Sequence, residues 1–204
     1  MKFHDRLDAA NRLLTTLASY KEAHPLVLGI PRGAIVMAKR IADGLQADLD
    51  VVLVRKIGAP GNPEYAVGSV DESGHVTETA PGIVDSGYLD AKADEELRVI
   101  RDRRKLYTPV RPPIDPTGRT VIIVDDGIAT GSTMLAAVRS VRAHKPGRII
   151  AAAPVIAPET LSKLREAADD VVFIDAPEDF MAVAQFYDDF PQVSDDEVVE
   201  MLKK

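Results

Sequence analysis

Cysteine is absent from the 204-residue chain, which excludes disulfide bonds and thiolate metal sites. That fits a reducing compartment, so a cytoplasmic location is the expectation. Long apolar runs are missing too: nowhere do about 18 apolar residues follow one another, as a membrane-spanning helix requires. The opening residues, MKFHDRLDAANRLL, are interrupted by charges too often for a secretory leader. Positive charge is in deficit. The 25 Lys and Arg are outnumbered by 32 Asp and Glu, for a formal net charge of −7, and a nucleic-acid backbone demands a basic surface. An anionic substrate must therefore be met by local charge. The four histidines do not fall at metal-ligand spacings, so no protein metal cage is expected, and no GxxxxGK-S/T phosphate loop or internal repeat occurs.

What is present is enough apolar material, 46% of residues, for one globular domain with a real core. The chain is organised around Val121 to Met134. Val121 to Val124 form a short β-branched run suited to a strand buried on both faces. Two acids follow, Asp125 and Asp126, then a turn of small residues from Gly127 to Gly131 where backbone can lie close to a ligand. Ser132 and Thr133 open a helical pattern with Met134, Leu135, Val138 and Val141 on its apolar side. Free amides at that helix start, with the hydroxyls of Thr130, Ser132 and Thr133, make a phosphate cradle. The acids cannot serve the phosphate. Two carboxylates beside it can accept hydrogen bonds from hydroxyls, and a ribose 5-phosphate offers a vicinal pair.

The rest of the chain alternates strand and helix. Phe3, Leu7, Ala10, Leu14 and Leu17 recur at helical spacing and predict an amphipathic packing helix. Leu26 to Ile30 read as a first buried strand, followed by Pro31, Arg32 and Gly33 and then a helix over 34–45. At a strand's C-terminal end, an Arg between a rigid Pro and a Gly is placed to meet a diphosphate with paired hydrogen bonds. A second strand over 49–54 ends in Arg55 and Lys56. Residues 57–70 hold three Gly and two Pro and read as a loop leading into a strand near 65–70, with Glu64 and Tyr65 as surface residues within reach of a substrate. His75 to Thr79 suit the return strand of a small hairpin. Leu89 to Leu106 read as a helix with Leu97, Ile100 and Leu106 inward and its bases late, which complements the helix dipole; a solvated face is the default for those bases, against a role towards a phosphate in a neighbouring subunit. Further strands are expected at 148–153 and 171–174, with a helix over 158–167 between them. This alternation predicts an α/β, doubly wound parallel sheet: core 20–56 and 119–175, an insertion over 57–118, and a tail over 176–204 rich in aromatics and acids.

The run VIIVDDGIATGST resembles the fingerprint of the type I phosphoribosyltransferases: four apolar residues, two acids, two apolar or small positions, then a Thr-Gly phosphate loop. Gly127 departs from it, since many members carry an aliphatic residue there. The resemblance implies that Asp125 and Asp126 hold the ribose hydroxyls of phosphoribosyl pyrophosphate (PRPP) and that Ala129, Thr130, Gly131, Ser132 and Thr133, after Gly127 and Ile128, wrap the 5-phosphate. GIPRG, with Pro31, Arg32 and Gly33, is similar to the family's pyrophosphate loop, and Lys56, beside Arg55, stands where several branches place a pyrophosphate lysine. The implied activity is transfer of ribose 5-phosphate to a nitrogen of a small acceptor, with Mg2+ held mainly through PRPP, and the resemblance suggests a homodimer. In some members a tail forms a hood that stacks an aromatic on the base. Phe186 and Tyr187 are the candidates, and the other reading is that they pin the tail to the core.

One position narrows the acceptor. Family members that salvage 6-oxopurines carry an acid three residues after the second Asp, facing N7 of the purine; here that position is Ala129, which cannot exchange a proton. The loop is closer to the adenine and uracil branches, unless Asp175 or Asp179 of the tail supplies the missing acid. Two rivals stand beside this reading. One is a regulator of the same fold that senses PRPP, and the other is a kinase or phosphatase on a doubly wound sheet, which the missing nucleotide loop disfavours.

Overall fold

The structure, a computed structural model, describes residues 1–203, and of Glu64 only the backbone. Its centre is a five-stranded parallel sheet in the order β2-β1-β6-β7-β8, made of β1 (Leu26–Gly29), β2 (Asp48–Val51), β6 (Thr120–Val124), β7 (Arg148–Ala152) and β8 (Asp170–Val172). The strand β6 is central because its side chains can be buried on both faces. Val121 and Ile123 join one apolar cluster with Met134, Ala137 and Val138 of α4 (Ser132–Ala143) and Leu164 of α5 (Pro158–Ala167). Ile122 and Val124 join the other, with residues of α1 (Arg6–Leu17) and α2 (Ala34–Leu45). The strict alternation of side chains along a strand thus turns an unbroken apolar run into two cores.

The chain leaves β1 towards β2 on one side and continues from β6 to β7 and β8 on the other. The gap between β1 and β6 is therefore the point where strand order reverses, the place where doubly wound sheets bind ligands at their C-terminal ends. The two turns that open there lie side by side, since the Ile30 amide donates to the Val124 carbonyl at 3.1 Å.

Residues 49–54 do not form one strand. The β2 ladder ends at Val51, opposite Gly29, where the Val52 amide gives a last bond to the Gly29 carbonyl (3.1 Å). The chain then leaves the sheet, and β3 (Val54–Ala59) begins a separate antiparallel sheet with β4 (Asn62–Asp71) and β5 (Val76–Glu78). Arg55 and Lys56 accordingly lie within a hairpin strand, not at the end of a core strand. The expected loop over 57–70 is largely this hairpin. Its Gly and Pro mark an irregular section: the register shifts on both sides of Gly58, where a Cβ would meet the Pro63 backbone at 2.6 Å, and Gly61 turns the tip with φ +73°.

Three further differences share one cause. Leu7 and Leu106, expected inward, are 48% and 52% exposed, while Leu13 and Tyr107 are fully buried. Helix α3 (Ser86–Tyr107) starts three residues before the expected helix and ends one after it. The tail ends in α6 (Asp195–Leu202), capped by Ser194 and Glu197, with Val198 and Leu202 fully buried. Helical spacing shows that a face is apolar, but the neighbour decides which of two adjacent residues sits at its centre. We expect Leu202→Ala to lower unfolding stability by about 2–5 kcal/mol and Leu106→Ala to change it by less than about 0.5 kcal/mol in urea titrations; equal losses would contradict this placement of the tail.

Candidate functional site

At the end of β6 the backbone turns under tight local control. The Asp125 amide donates to the Ala152 carbonyl (3.0 Å) and the Ile128 amide to the Val155 carbonyl (2.9 Å), so neighbouring β7 and the segment after it hold both sides of the corner. The Asp126 amide donates to Oδ1 of Asp125 (2.9 Å). Gly131 takes φ +76° as the residue before α4, a conformation that disfavours side chains, and Thr160 Cγ2 stands 2.5 Å from where its Cβ would be. Thr160, 2% exposed, also donates its hydroxyl to the Ala129 carbonyl (2.6 Å). The first turn of α5 thus braces the loop.

A cleft of about 220 Å³ results, lined by Lys56, Asp125, Gly127, Ile128, Ala129, Thr130, Gly131, Ser132, Thr133, Met134 and Val183. The Thr130 and Ser132 hydroxyls lie 3.2 Å apart, and the first N–H groups of α4 lack intrahelical partners, as at any helix start. A second cleft of about 350 Å³ adjoins it, lined by Pro31, Arg55 and Arg103 among others, with Lys56 and Thr133 bordering both. The expected phosphate loop, the first acid and the two hairpin cations are therefore brought together.

The remaining candidates sit differently. Asp126 turns back into the fold: its Oδ2 accepts from Arg6 Nε at 2.9 Å, with the Arg6 side chain 9% and that of Asp126 17% exposed. Gly33 lies against this pair, since a Cβ there would collide with Asp126 Oδ2 and come within 2.8 Å of Arg6 Nη2. Arg32, which follows a cis peptide bond from Pro31, has Nη1 3.6 Å from Asp195 Oδ2 of α6; Asp195 also meets Arg103 (3.4 Å) and accepts from the Tyr107 hydroxyl. Arg55 pairs with Glu96 at 2.5 Å. Phe186 and Tyr187 line neither cleft. Both are 5% exposed; Phe186 packs on Phe180 with ring centres 5.0 Å apart, and the Tyr187 hydroxyl donates to the Asp126 carbonyl (2.6 Å). These rings pin the tail because their apolar surface is spent in the core. From the tail it is Val183 that reaches the cleft: its Cγ1 stands 2.5 Å from where a Gly127 Cβ would be, so the tail fills the space an aliphatic residue would occupy there. Asp175 is engaged elsewhere, 3.3 Å from the N-terminal ammonium.

Sequence reasoning missed Arg6, Thr160 and Val183. Arg6 left a signal, because it shares the buried face of α1 with Ala9, Ala10, Leu13 and Leu17, and a charge on an apolar face demands a buried partner. Thr160 shares a face with Leu164, a weaker hint, and nothing local marks Val183.

Comparison with known proteins shows the family. Residues 3–191 match the family described as "Phosphoribosyl transferase domain". The chain belongs to this family. It is 40% identical over 207 aligned positions to Rv0571c of Mycobacterium tuberculosis strain H37Rv, provisionally named a phosphoribosyl transferase, and equally to MT0597 of strain CDC 1551. The alignment takes in 99% of this chain and 46% of either relative, so the chain spans about half the length of the curated relatives it matches. Among solved structures, TT1426 of Thermus thermophilus is 43% identical with a TM-score of 0.88, over 100% of this chain and 98% of that one. The parallel sheet with helices on both faces is the type I phosphoribosyltransferase architecture. Among the described residues no helix is long and apolar enough to cross a membrane.

The acid pair and Val183 each generate a test. Burial, reinforced by the neighbouring Asp126 charge, raises Asp125 well above the usual carboxylate range. A raised carboxylate favours the folded state below its unfolded pKa, and that advantage is lost as pH rises through the folded value. Asp125→Asn should therefore raise the thermal midpoint at pH 7, with the difference closing towards pH 3; a lower midpoint at pH 7 would contradict the burial cost. Gly127→Val should cost about 1–3 kcal/mol by overpacking, and Val183→Ala added to it should recover most of that loss in denaturant titrations.

Proposed function

We propose that the chain transfers ribose 5-phosphate from PRPP to a nitrogen of a small acceptor, releasing pyrophosphate. The observation that carries this reading is the continuity of the two clefts: a hydroxyl-lined loop at a helix N-terminus, floored by Asp125, opens across Lys56 and Thr133 into a space lined by Arg55 and Arg103. A sugar phosphate needs the first and a diphosphate the second. In this reading the 5-phosphate takes the amides and hydroxyls of residues 129–133. Asp125, which lines the cleft, is assigned one ribose hydroxyl, and Asp126, next to it and tied to Arg6 through Oδ2, is assigned the other through Oδ1.

The chemical difficulty is charge separation. As the bond from C1 to the diphosphate oxygen breaks, positive charge grows on the ribose and negative charge on the leaving group. Lys56, which borders both clefts, is assigned to that division, and the acids on the ribose side, in their ionised form, would offset the developing cation. Arg32 and Arg55 are paired with Asp195 and Glu96, so an arriving diphosphate exchanges one anionic partner for another. The cleft offers one lining carboxylate besides hydroxyls, too few donors to cage Mg2+, which suits an ion arriving on substrate oxygens. Bound so, Mg2+ would add to the charge that stabilises the departing anion.

Ala129 bears on the acceptor. It lines the cleft and carries no proton-exchanging group, so hypoxanthine and guanine are expected to be poor acceptors beside adenine-like, pyrimidine-like or simple amine acceptors. The test is pyrophosphate release from PRPP and Mg2+ across a panel of bases and amines. Lys56→Ala is expected to lower kcat by about 10²-fold or more with a smaller effect on ribose 5-phosphate binding. No PRPP binding by calorimetry would overturn the reading, and efficient turnover of hypoxanthine, with kcat/KM of about 10⁴ M⁻¹s⁻¹ or more, would overturn the acceptor assignment.

A further inference from the structure

We propose that Arg6, 120 positions away from the acid corner in sequence, is a positioning residue of this site: it fixes the Asp126 carboxylate and supplies the counter-charge that the two adjacent acids share. This rests on the ribose-binding role proposed above for those acids and adds to it a residue of the N-terminal helix.

Three contacts fix the guanidinium. Nε donates to Asp126 Oδ2 at 2.9 Å and Nη1 to the Pro191 carbonyl at 2.7 Å. The Phe190 ring lies 3.8 Å from the guanidinium carbon and stacks in turn on Tyr187 at 4.7 Å. On the remaining side Gly33 presents bare backbone, where a Cβ would strike both members of the pair. Tyr187 then donates its hydroxyl to the Asp126 carbonyl (2.6 Å). Residue 126 is therefore held through its side chain by α1 and through its backbone by the tail. Removing the Arg6 guanidinium would leave Asp126 Oδ2 and the Pro191 carbonyl without their donor.

The charge matters as much as the geometry. Adjacent carboxylates in a closed corner repel, and burial disfavours both anions; one of the two would take up a proton unless a cation stands near. The titratable and charged groups that face the corner are Arg6 from α1, Tyr187 from the tail and Lys56 from β3 across the cleft. Tyr187, buried and pushed above its ordinary range, stays neutral. Lys56 borders the cleft where substrate enters and would be shared with a bound anion. Arg6, 7% exposed, is the cation built permanently against the acids, and its charge opposes the upward shift of both Asp125 and Asp126. With Oδ2 held by Arg6, a proton on Asp126 would sit on Oδ1 and present a donor where a ribose hydroxyl needs an acceptor, so a site that binds ribose through the pair depends on the arginine behind it.

The test follows the acids directly. Carboxyl carbons of Asp125 and Asp126 are titrated by NMR in the wild type, Arg6→Gln and Arg6→Lys, without ligand, and PRPP affinity with Mg2+ is measured by calorimetry between pH 5 and 9. In Arg6→Gln both carboxyl titrations should move to higher pH, while Arg6→Lys, which keeps the charge, stays near the wild type. PRPP affinity of Arg6→Gln should match the wild type above the moved titration and fall below it, by roughly tenfold for each pH unit beneath that midpoint, so that the loss appears at higher pH than in the wild type. Carboxyl titrations unchanged in Arg6→Gln, or an affinity loss of equal size at every pH, would overturn the proposal by reducing Arg6 to a packing residue. If Arg6→Gln does not fold, Asp126→Asn is compared with Asp126→Asn/Arg6→Gln, in which no buried carboxylate faces the vacated place: a higher Asp125 titration in the double variant supports the shared counter-charge and an equal one overturns it. Should the wild type bind no PRPP, the proposed function fails, and the carboxyl titrations still decide the role of Arg6.

Discussion

Two like charges on consecutive residues at the end of a fully buried strand are the constraint around which this molecule is arranged. Asp125 and Asp126 follow Val124, itself fully buried, so neither carboxylate can withdraw far into water without dismantling the central sheet. Repulsion and desolvation both act against the ionised pair. The two ends of the chain answer this: Arg6 arrives from the N-terminal helix, while Tyr187, Phe190 and Pro191 of the tail hold Arg6 and the Asp126 backbone. What looks from the sequence like a peripheral helix and a loose tail is the charge compensation for the acid corner. That is also why Gly33 has no side chain and why the turn after β1 can pass so close to the turn after β6.

The parts legible in the sequence are those fixed by local pattern. The apolar run of β6, the opening of α4 at Ser132, the Pro-led start of α5 and the span of α2 all stand where periodicity and turn chemistry place them. The loop from Gly127 to Thr133 and its neighbourhood to Lys56 were legible as well, because a family fingerprint compresses non-local geometry into a local string. Where distant partners decide, local pattern gave the wrong answer. Arg55 and Lys56 looked like the end of a core strand because residues 49–56 are uninterrupted by Gly or Pro, yet the strand β1 beside them ends at Gly29 and leaves nothing to pair with beyond Val52. The aromatic pair at 186–187 offered a stacking surface in one dimension and a core contact in three. Val183 illustrates the limit: the packing a family member obtains from its own residue at position 127 is supplied here from 56 positions further along the chain.

The same non-local pairing shapes the electrostatics of the cleft. In a protein of net charge −7, cations gathered at one point would repel one another and lose stability, and here they do not stand alone: Arg55 has Glu96, while Arg32 and Arg103 share Asp195. Such partners hold the guanidiniums in place, which under the proposed function would reduce the ordering cost of binding. Under the proposed function they would also set a threshold, because an incoming anion would have to out-compete a carboxylate already in contact. A single phosphate brings little more charge than the carboxylate it displaces. A diphosphate would bring more charge and more acceptor oxygens to several cations at once, so the proposed exchange would favour it over simpler anions. Asp195 meets two of these three guanidiniums, and its place depends on the Tyr107 hydroxyl and on the burial of Val198 and Leu202. The seating of the C-terminal helix is thereby coupled to the charge presented at the mouth of the site, as the seating of the N-terminal helix is to the acids at its floor.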